Sequence, residues 1–322
     1  MTVPTLGVAF DGRNPPARLL EQARTAEDAG AVSFWISSHL FLRDPVSLAG
    51  AVLGATRRAR AVLMAVSPHV MHPVHIAMAA ATLDELFAGR VALCLGSGAP
   101  GDLADAGVGP PRPLRALREA LELTRLLLAG ERVNYEGEIY QVRGRRLPAG
   151  PRAIPIMLAA AGPRTLELAG ASADGVVLST ASCVPFVRWA LAHVARGADH
   201  RPLARAGLVY ASVAEREREA FGRFRRQLAI TLRGGHHALN VVLAGGRLDH
   251  QALRRAVSEE DWPRAESLIG DDIVRRHTAS GTLAQVRERM ADFHAAGLDE
   301  VVLAGMYDPA ETARTLAACA GR

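Results

Sequence analysis

The chain has 322 residues, 49% of them hydrophobic and 22% charged, which suits a soluble globular protein with a large core of one or two domains. Its formal charge is +5 and all 38 basic residues are arginine, so the absence of lysine excludes Schiff-base and pyridoxal-phosphate enzymes and the lysine-bearing phosphate loop. The arginines are spread rather than interleaved with aromatics, which argues against nucleic acid. No apolar run reaches a membrane span and MTVPTLGVAF lacks a basic signal start, so a cytoplasmic enzyme with no membrane partner is expected.

Short apolar runs alternate with helical patterns. LGVAF (6–10) predicts a first strand, 16–30 a helix opened by Pro16 and closed by Gly30, and SFWISSH (33–39) a second strand. A helix over 47–59 leads to strand 61–67, a helix over 73–89 to strand 91–98, and 113–130 forms the next helix. RVNYEGEIYQVRGRRL (132–147) breaks the rhythm and reads as a hairpin turning at Glu136-Gly137. Strand 154–160, helix 163–172, strand 175–180 and helix 184–197 resume it, followed by strand 206–213 and helix 215–232. The segment 233–297 loses the period and reads as a helical insertion, before strand 299–305 and a final helix at 309–320. Eight near-continuous apolar strands alternating with helices predict one α/β domain over 1–322, a (β/α)8 barrel with insertions, with an open doubly wound sheet as the rival.

In such a barrel ligands sit at the C-terminal strand ends. Those ends hold Ala9 to Asp11, Ser37 to His39, Met64 to Pro68, Gly96 to Gly98, Ala159 to Gly162, and Ser179 and Thr180. There is no carboxylate pair for glycoside hydrolysis and no nucleophile elbow, so the chemistry points to a borrowed cofactor. In AAAGPRTLELAG (159–170) a strand ends, Gly162 turns and Pro163 opens a helix. Its N-terminal amides, with Arg164, are the candidate anion site, with plain Gly-Pro helix initiation as the alternative. His69, His72 and His75 stand three apart, but Pro73 biases His72 away from helical geometry and no metal is expected. His69 is a candidate for the pocket, and His236 and His237 for a substrate lid or a surface loop. Cys94, Cys183 and Cys319 lack metal or disulfide spacing.

Four stretches carry a family resemblance: FWISSHL (34–40), the run from PHVMHPVHIA to LGSGAPGD (68–102), IPIMLAAAGPRTLELAGASADGVVL (154–178) and SGTLAQVRERMADFHAAGLDEVVLAG (280–305). The chain resembles the luciferase-like oxidoreductases, in the branch that uses the deazaflavin coenzyme F420, near the methylenetetrahydromethanopterin reductases. The resemblance implies a flavin across the barrel mouth, a cis peptide at Met64–Ala65 behind its ring, and His39, Gly96, Ser97, Gly98 and the turn Ala160–Ala161–Gly162–Pro163–Arg164 around it. It implies hydride transfer between F420 and a C=C or C=N bond of a small organic substrate, His39 or Asp102 serving as proton donor, in a homodimer. FMN-dependent monooxygenation is the alternative, and a non-redox barrel a further one. Two positions depart from the pattern. Ser38 and Ala9 stand where the reductases carry acids, which argues against methylenetetrahydromethanopterin itself, and Asp11 is a candidate to compensate.

Overall fold

The computed structural model describes residues 4–109, 111–179 and 181–321, with the backbone alone of His236. Strands and helices alternate from β1 (Thr5–Phe10), α1 (Pro16–Asp28), β2 (Ser33–Ser37), α2 (Pro45–Ala55) and β3 (Arg60–Val66) to α3 (Pro73–Leu86) and β4 (Val91–Leu95). Two helices follow, α4 (Pro100–Asp105) and α5 (Pro113–Leu128), and then an antiparallel hairpin of β5 (Val133–Glu136) and β6 (Gln141–Arg145). The alternation returns with β7 (Ile156–Ala159), α6 (Pro163–Ser172), β8 (Gly175–Leu178), α7 (Val184–Ala198) and β9 (Ala204–Val213). Six short helices come next: α8 (Glu217–Gly222), α9 (Arg225–Leu232), α10 (Ala238–Leu243), α11 (His250–Ser258), α12 (Trp262–Ser267) and α13 (Asp271–His277). A three-residue strand β10 (Ala279–Gly281), α14 (Leu283–Ala295), β11 (Glu300–Ala304) and α15 (Pro309–Cys319) complete the described chain.

Eight of the strands pair in parallel in the order β9-β11-β1-β2-β3-β4-β7-β8, and β8 pairs back onto β9, so the sheet closes. These are the eight expected strands, and the open-sheet alternative falls. Their continuous apolar runs have a simple cause, since each strand is buried on both sides. Val8, Phe34, Ile36, Leu63, Leu93 and Leu158 face outward into the layer shared with the helices. Ala9, Trp35, Val62, Ala92, Cys94 and Met157 alternate with them and fill the lumen. At the N-terminal end the lumen is sealed by polar contacts: Ser33 Oγ, Trp35 Nε1 and Arg60 all donate to the Glu300 carboxylate. Gly7 is required there, because a Cβ would overlap that Ser33–Glu300 pair.

The run TLDELFAGR serves this same lower face. Asp84 accepts from the amide of Gly89, whose φ of +74° suits a residue without a side chain. Arg90 then donates to the carbonyls of Leu53, Thr56 and Ala59, fastening α2 and the start of β3 to β4.

Three expectations are corrected. The helix over 215–232 is broken into α8 and α9, which pack on α11–α13 and belong with the insertion. The helical region therefore starts near 217. It also ends earlier than 297, since α14 packs on α7, α15, β9 and β11 as an ordinary barrel helix. Finally, β10 is an unpredicted strand, paired in parallel with Ala211–Val213 at the upper end of β9. The predicted strand 175–180 ends at Leu178, and Thr180 lies outside the described residues.

Candidate active site

The C-terminal strand ends form a mouth that is open on one side and covered on the other. The insertion covers the β9–β11 side. Phe224 stacks on Tyr210 with ring centroids 5.2 Å apart, and Thr231 and Gln227 hold the Tyr210 hydroxyl at 3.1 Å each. Gly305 makes this contact possible, since a Cβ there would stand 2.5 Å from the Phe224 ring.

The β2–β8 side remains open and is lined by small residues. Ala65, Gly98, Ala159 and Ala161 are half-buried, while Ser97, Gly162 and Arg164 are exposed. The Met64–Ala65 peptide, expected to be cis, is trans: no cis bond occurs among the described residues. The irregularity at this point takes another form. Between Leu63↔Leu93 and Val66↔Leu95 the β3 strand carries one extra residue, a bulge centred on Met64–Ala65. The Met64 carbonyl accepts from Ser38 N, and the Val66 carbonyl from Gly96 N. Ser67 Oγ donates to the Ser97 carbonyl at 3.2 Å, tying the third and fourth exits together. Gly96 stands so close to the bulge that a Cβ would lie 2.8 Å from that of Ala65. Val66 and Ala160 bear side chains in the outer core, so only their backbones border the mouth.

At the fifth exit α6 starts at Pro163 with Gly162 as its N-cap, and no side chain caps its first turn. A side chain built at Gly162 would meet nothing within 4 Å; Thr165 N and Leu166 N donate to the Gly162 carbonyl, which leaves the Arg164 amide as the unpaired donor of the first turn. Arg164, in that first turn, has no ion pair or hydrogen bond among the described residues. An uncapped helix start and an arginine without a partner thus stand beside the small residues of the strand exits. A flat ring with an anionic tail fits the residues present.

The proton-bearing candidates are dispersed around the rim. His39 is exposed and bonds to no described residue. Asp102 lies in the first turn of α4 and its side chain is also unpartnered among the described residues. His69 Nε2 is buried without a partner, and burial holds the imidazole below its ordinary pKa, so it is neutral at pH 7. His72 is the N-cap of α3, accepting from Val74 N, while His75 is exposed on that helix. No group of three or more potential metal ligands is assembled among the described residues. His237 is buried in a 3-10 turn (Gly235–His237) within the insertion rather than lying on a surface loop. The side chain of His236 lies outside the described residues.

Several rim residues carry little sequence signal. Tyr307 donates to Asp11 at 2.7 Å, and burial together with that carboxylate pushes the phenol up to about 12. Arg13 donates to both. Tyr140, at the tip of the hairpin, donates to the Pro68 carbonyl at 2.9 Å and packs edge-on against His72. Asn240 and His277, from the insertion, both donate to the carbonyl of Ala181, which sits at φ +62° just past β8. Each acts through a contact about 60 or more residues away in sequence, which local pattern reading does not reach.

A model of the luciferase-like monooxygenase family matches residues 2–300. The 5,10-methylenetetrahydromethanopterin reductase of Archaeoglobus fulgidus is 28% identical over 300 residues, 89% of each chain. The solved coenzyme F420-dependent tetrahydromethanopterin reductase of Methanopyrus kandleri superposes with a TM-score of 0.89 over 98% of both chains at 21% identity. The oxygenating constituent of 3,6-diketocamphane monooxygenase from Pseudomonas putida, solved with FMN, superposes with a TM-score of 0.75 over 98% of this chain and 96% of that one, at 19% identity. The likenesses to solved structures, at these identities, speak for the barrel.

Proposed function

We propose that this chain, which belongs to the luciferase-like monooxygenase family, holds coenzyme F420 in the open half of its mouth and transfers a hydride between it and an electrophilic C=C or C=N bond of a small organic substrate, in either direction. An oxidoreductase working with a deazaflavin or flavin is the coarser statement, carried by family membership. Two observations support the finer one: small residues at the strand exits next to the uncapped first turn of α6 and its unpaired arginine, which suit a flat ring with a phosphate, and the likeness to F420-dependent relatives.

When bound, the reduced deazaflavin supplies the hydride from its C5. The chain's own residues supply position, dryness and a proton. Ala65, Gly96 and Ala159 leave room for a flat ring. The amides of Gly162 and Arg164, with the Arg164 guanidinium, hold an anionic tail, an interaction typically worth about 0.3–1 kcal/mol when exposed and more when partly buried. The insertion excludes water from the β9–β11 side. His39 and Asp102, both unpartnered, are free to give a proton to the substrate or take one from it. His69 offers a neutral ring nitrogen from inside the wall. Neither Ala9 nor Ser38 adds charge to the mouth, which argues against methylenetetrahydromethanopterin as the substrate. Exposed Val70, Met78 and Leu86, on and just before α3, favour a homodimer. We place the enzyme in the cytoplasm; no described helix is long and apolar enough to cross a membrane.

Calorimetric titration with F420 and with FMN tests the assignment. F420 is expected to bind more tightly, and binding of FMN alone overturns it. The likeness to an FMN-bound monooxygenase supports the second reading, FMN-dependent oxygenation. Oxygen uptake during turnover with reduced FMN selects that reading. Under the first, His39→Ala lowers turnover by about 10²-fold while the coenzyme Kd stays within a few-fold.

A further inference from the structure

The helical insertion carries a hollow of its own, about 660 Å³ in volume, between the end of α9, one side of α11 and the start of α12. Arg233, Arg254, Arg255, Glu260 and Trp262 line it. It is separate from the barrel mouth. Gln227 and Thr231 of α9 hold the Tyr210 hydroxyl on the mouth side. Arg226 and Arg233, seven residues apart, share a different face of the same helix, roughly a third of a turn or more away.

The aromatic wall of the hollow is held in place. Trp262 is half-buried, and Arg226 stacks on its ring with the guanidinium carbon 4.0 Å from the centroid. The charges, by contrast, are unspent. Arg254 and Arg255 are exposed and have no ion pair or side-chain hydrogen bond among the described residues. Arg233 donates one N–H to the Ile230 carbonyl at 3.0 Å. Glu260, the acid among the described lining residues, pairs with none of the three. Asp261 beside it caps α12 by accepting from Arg264 N. Other arginines of the insertion are neutralised within it: Arg225 by Asp271, Arg275 by Glu217 and Arg276 by Asp272. Three arginines thus converge on one hollow against a single carboxylate, which gives it a positive potential. A Cβ at Gly235, on its rim, would meet nothing within 4 Å, so the hollow is open to a ligand from that side.

We propose that this hollow binds a small organic polyanion bearing a flat ring, the class of a nucleoside diphosphate. Arg233, Arg254 and Arg255 take the phosphates, whose oxygens match the forked N–H groups of guanidinium. The ring lies against Trp262. Glu260, next to Trp262 but one in sequence, accepts from an amino group on that ring. The ligand bridges α9, α11 and α12, and so stabilises the insertion that covers the β9–β11 side of the mouth. The site stands whether or not the mouth takes a deazaflavin.

Calorimetric titration of the full chain with ADP, pyrophosphate and adenosine at low salt tests this. ADP is expected to bind about 10-fold or more tighter than adenosine and about 3- to 10-fold tighter than pyrophosphate, and to weaken as salt rises. Arg254→Glu, with Arg255→Glu as an independent variant, lowers ADP affinity by about 10-fold or more, the loss of one charge-assisted contact and its replacement by a repulsive one. Both positions are exposed, so the variants keep the fold, read as an unchanged Tm without ligand. Trp262→Leu reduces ADP to the affinity of pyrophosphate. Arg164→Glu, at the mouth, leaves ADP binding as it was and separates this site from that one. No ADP binding at millimolar concentration overturns the proposal. So does binding that survives both α11 variants, binding lost in Arg164→Glu instead, or ADP held no more tightly than pyrophosphate.

Discussion

Glu119 shows how one buried charge builds part of the site's wall. It sits on α5 at 3% exposure and accepts from the amides of Glu138, Ile139 and Tyr140. Burial works to raise its pKa, but the three backbone donors outweigh it and hold the carboxyl below its ordinary value of 4.5. Gly137 is needed beside it, because a Cβ would overlap the carboxylate. The hairpin tip is thus fixed, and Tyr140 reaches the strand-three exit. Glu119→Gln leaves these donors poorly matched and should cost about 1–3 kcal/mol in urea unfolding. The contribution of Glu119 is present above pH 4.5 and lost as pH falls through its lowered folded value. A second case has a similar sign. Burial holds His277 below its ordinary 6.5, and its Nε2 is buried without a partner, so protonation would strand an N–H. Its share of stability is full above pH 6.5 and declines as acid is added. His277→Gln should flatten the Tm-against-pH curve between pH 6.5 and 5. An unchanged slope would contradict this account.

Among the elements, close backbone approach decides where side chains are permitted. Helices α6 and α7 cross at Gly170 and Gly197, where a Cβ on either would overlap the other's backbone carbonyl. This crossing brings Arg196 into the same hollow as Arg164. Gly197→Val should separate the helices and destabilise the fold by about 1–3 kcal/mol by overpacking, read as a lowered urea midpoint. Gly96 has the same character at the mouth, against Ala65. Gly96→Val should weaken ring binding more than it lowers Tm; equal affinity would show that the ring lies elsewhere. The regular elements were legible because their signals are local: the apolar runs, the prolines at helix starts and the glycines at helix ends. The elements that escaped have weak local signals. Strand β10 is three residues long and exists because β9 extends beyond its neighbours to pair with it. Helix α4 is a single short run opened by Pro100, within a stretch whose glycines read as loop. The break between α8 and α9 falls in a sequence of good helix formers, and follows from packing on the insertion.

At the scale of the molecule, the barrel supplies a rigid ring of strand ends and the insertion covers one side of it. The covered side had no expression in the sequence beyond a loss of period. The open side was legible as a list of small residues and glycines, and the structure brings those residues to one mouth. What the list lacked was the tertiary half of the site: Tyr140 from the hairpin, Tyr307 against Asp11, and the latch of Asn240 and His277 on Ala181. The expected cis peptide is replaced by a bulge at the same two residues, so a local departure from strand geometry stands there without an isomerised bond. The central claim is spatial: a deazaflavin ring lies over Ala65, Gly96 and Ala159, with its phosphate at Gly162–Arg164. A crystal structure of the protein soaked with F420 tests it most directly. Density for the ring over those three residues and for the phosphate on the first turn of α6 is the result predicted. A ring bound outside the mouth, or a phosphate held by any other turn, would contradict it.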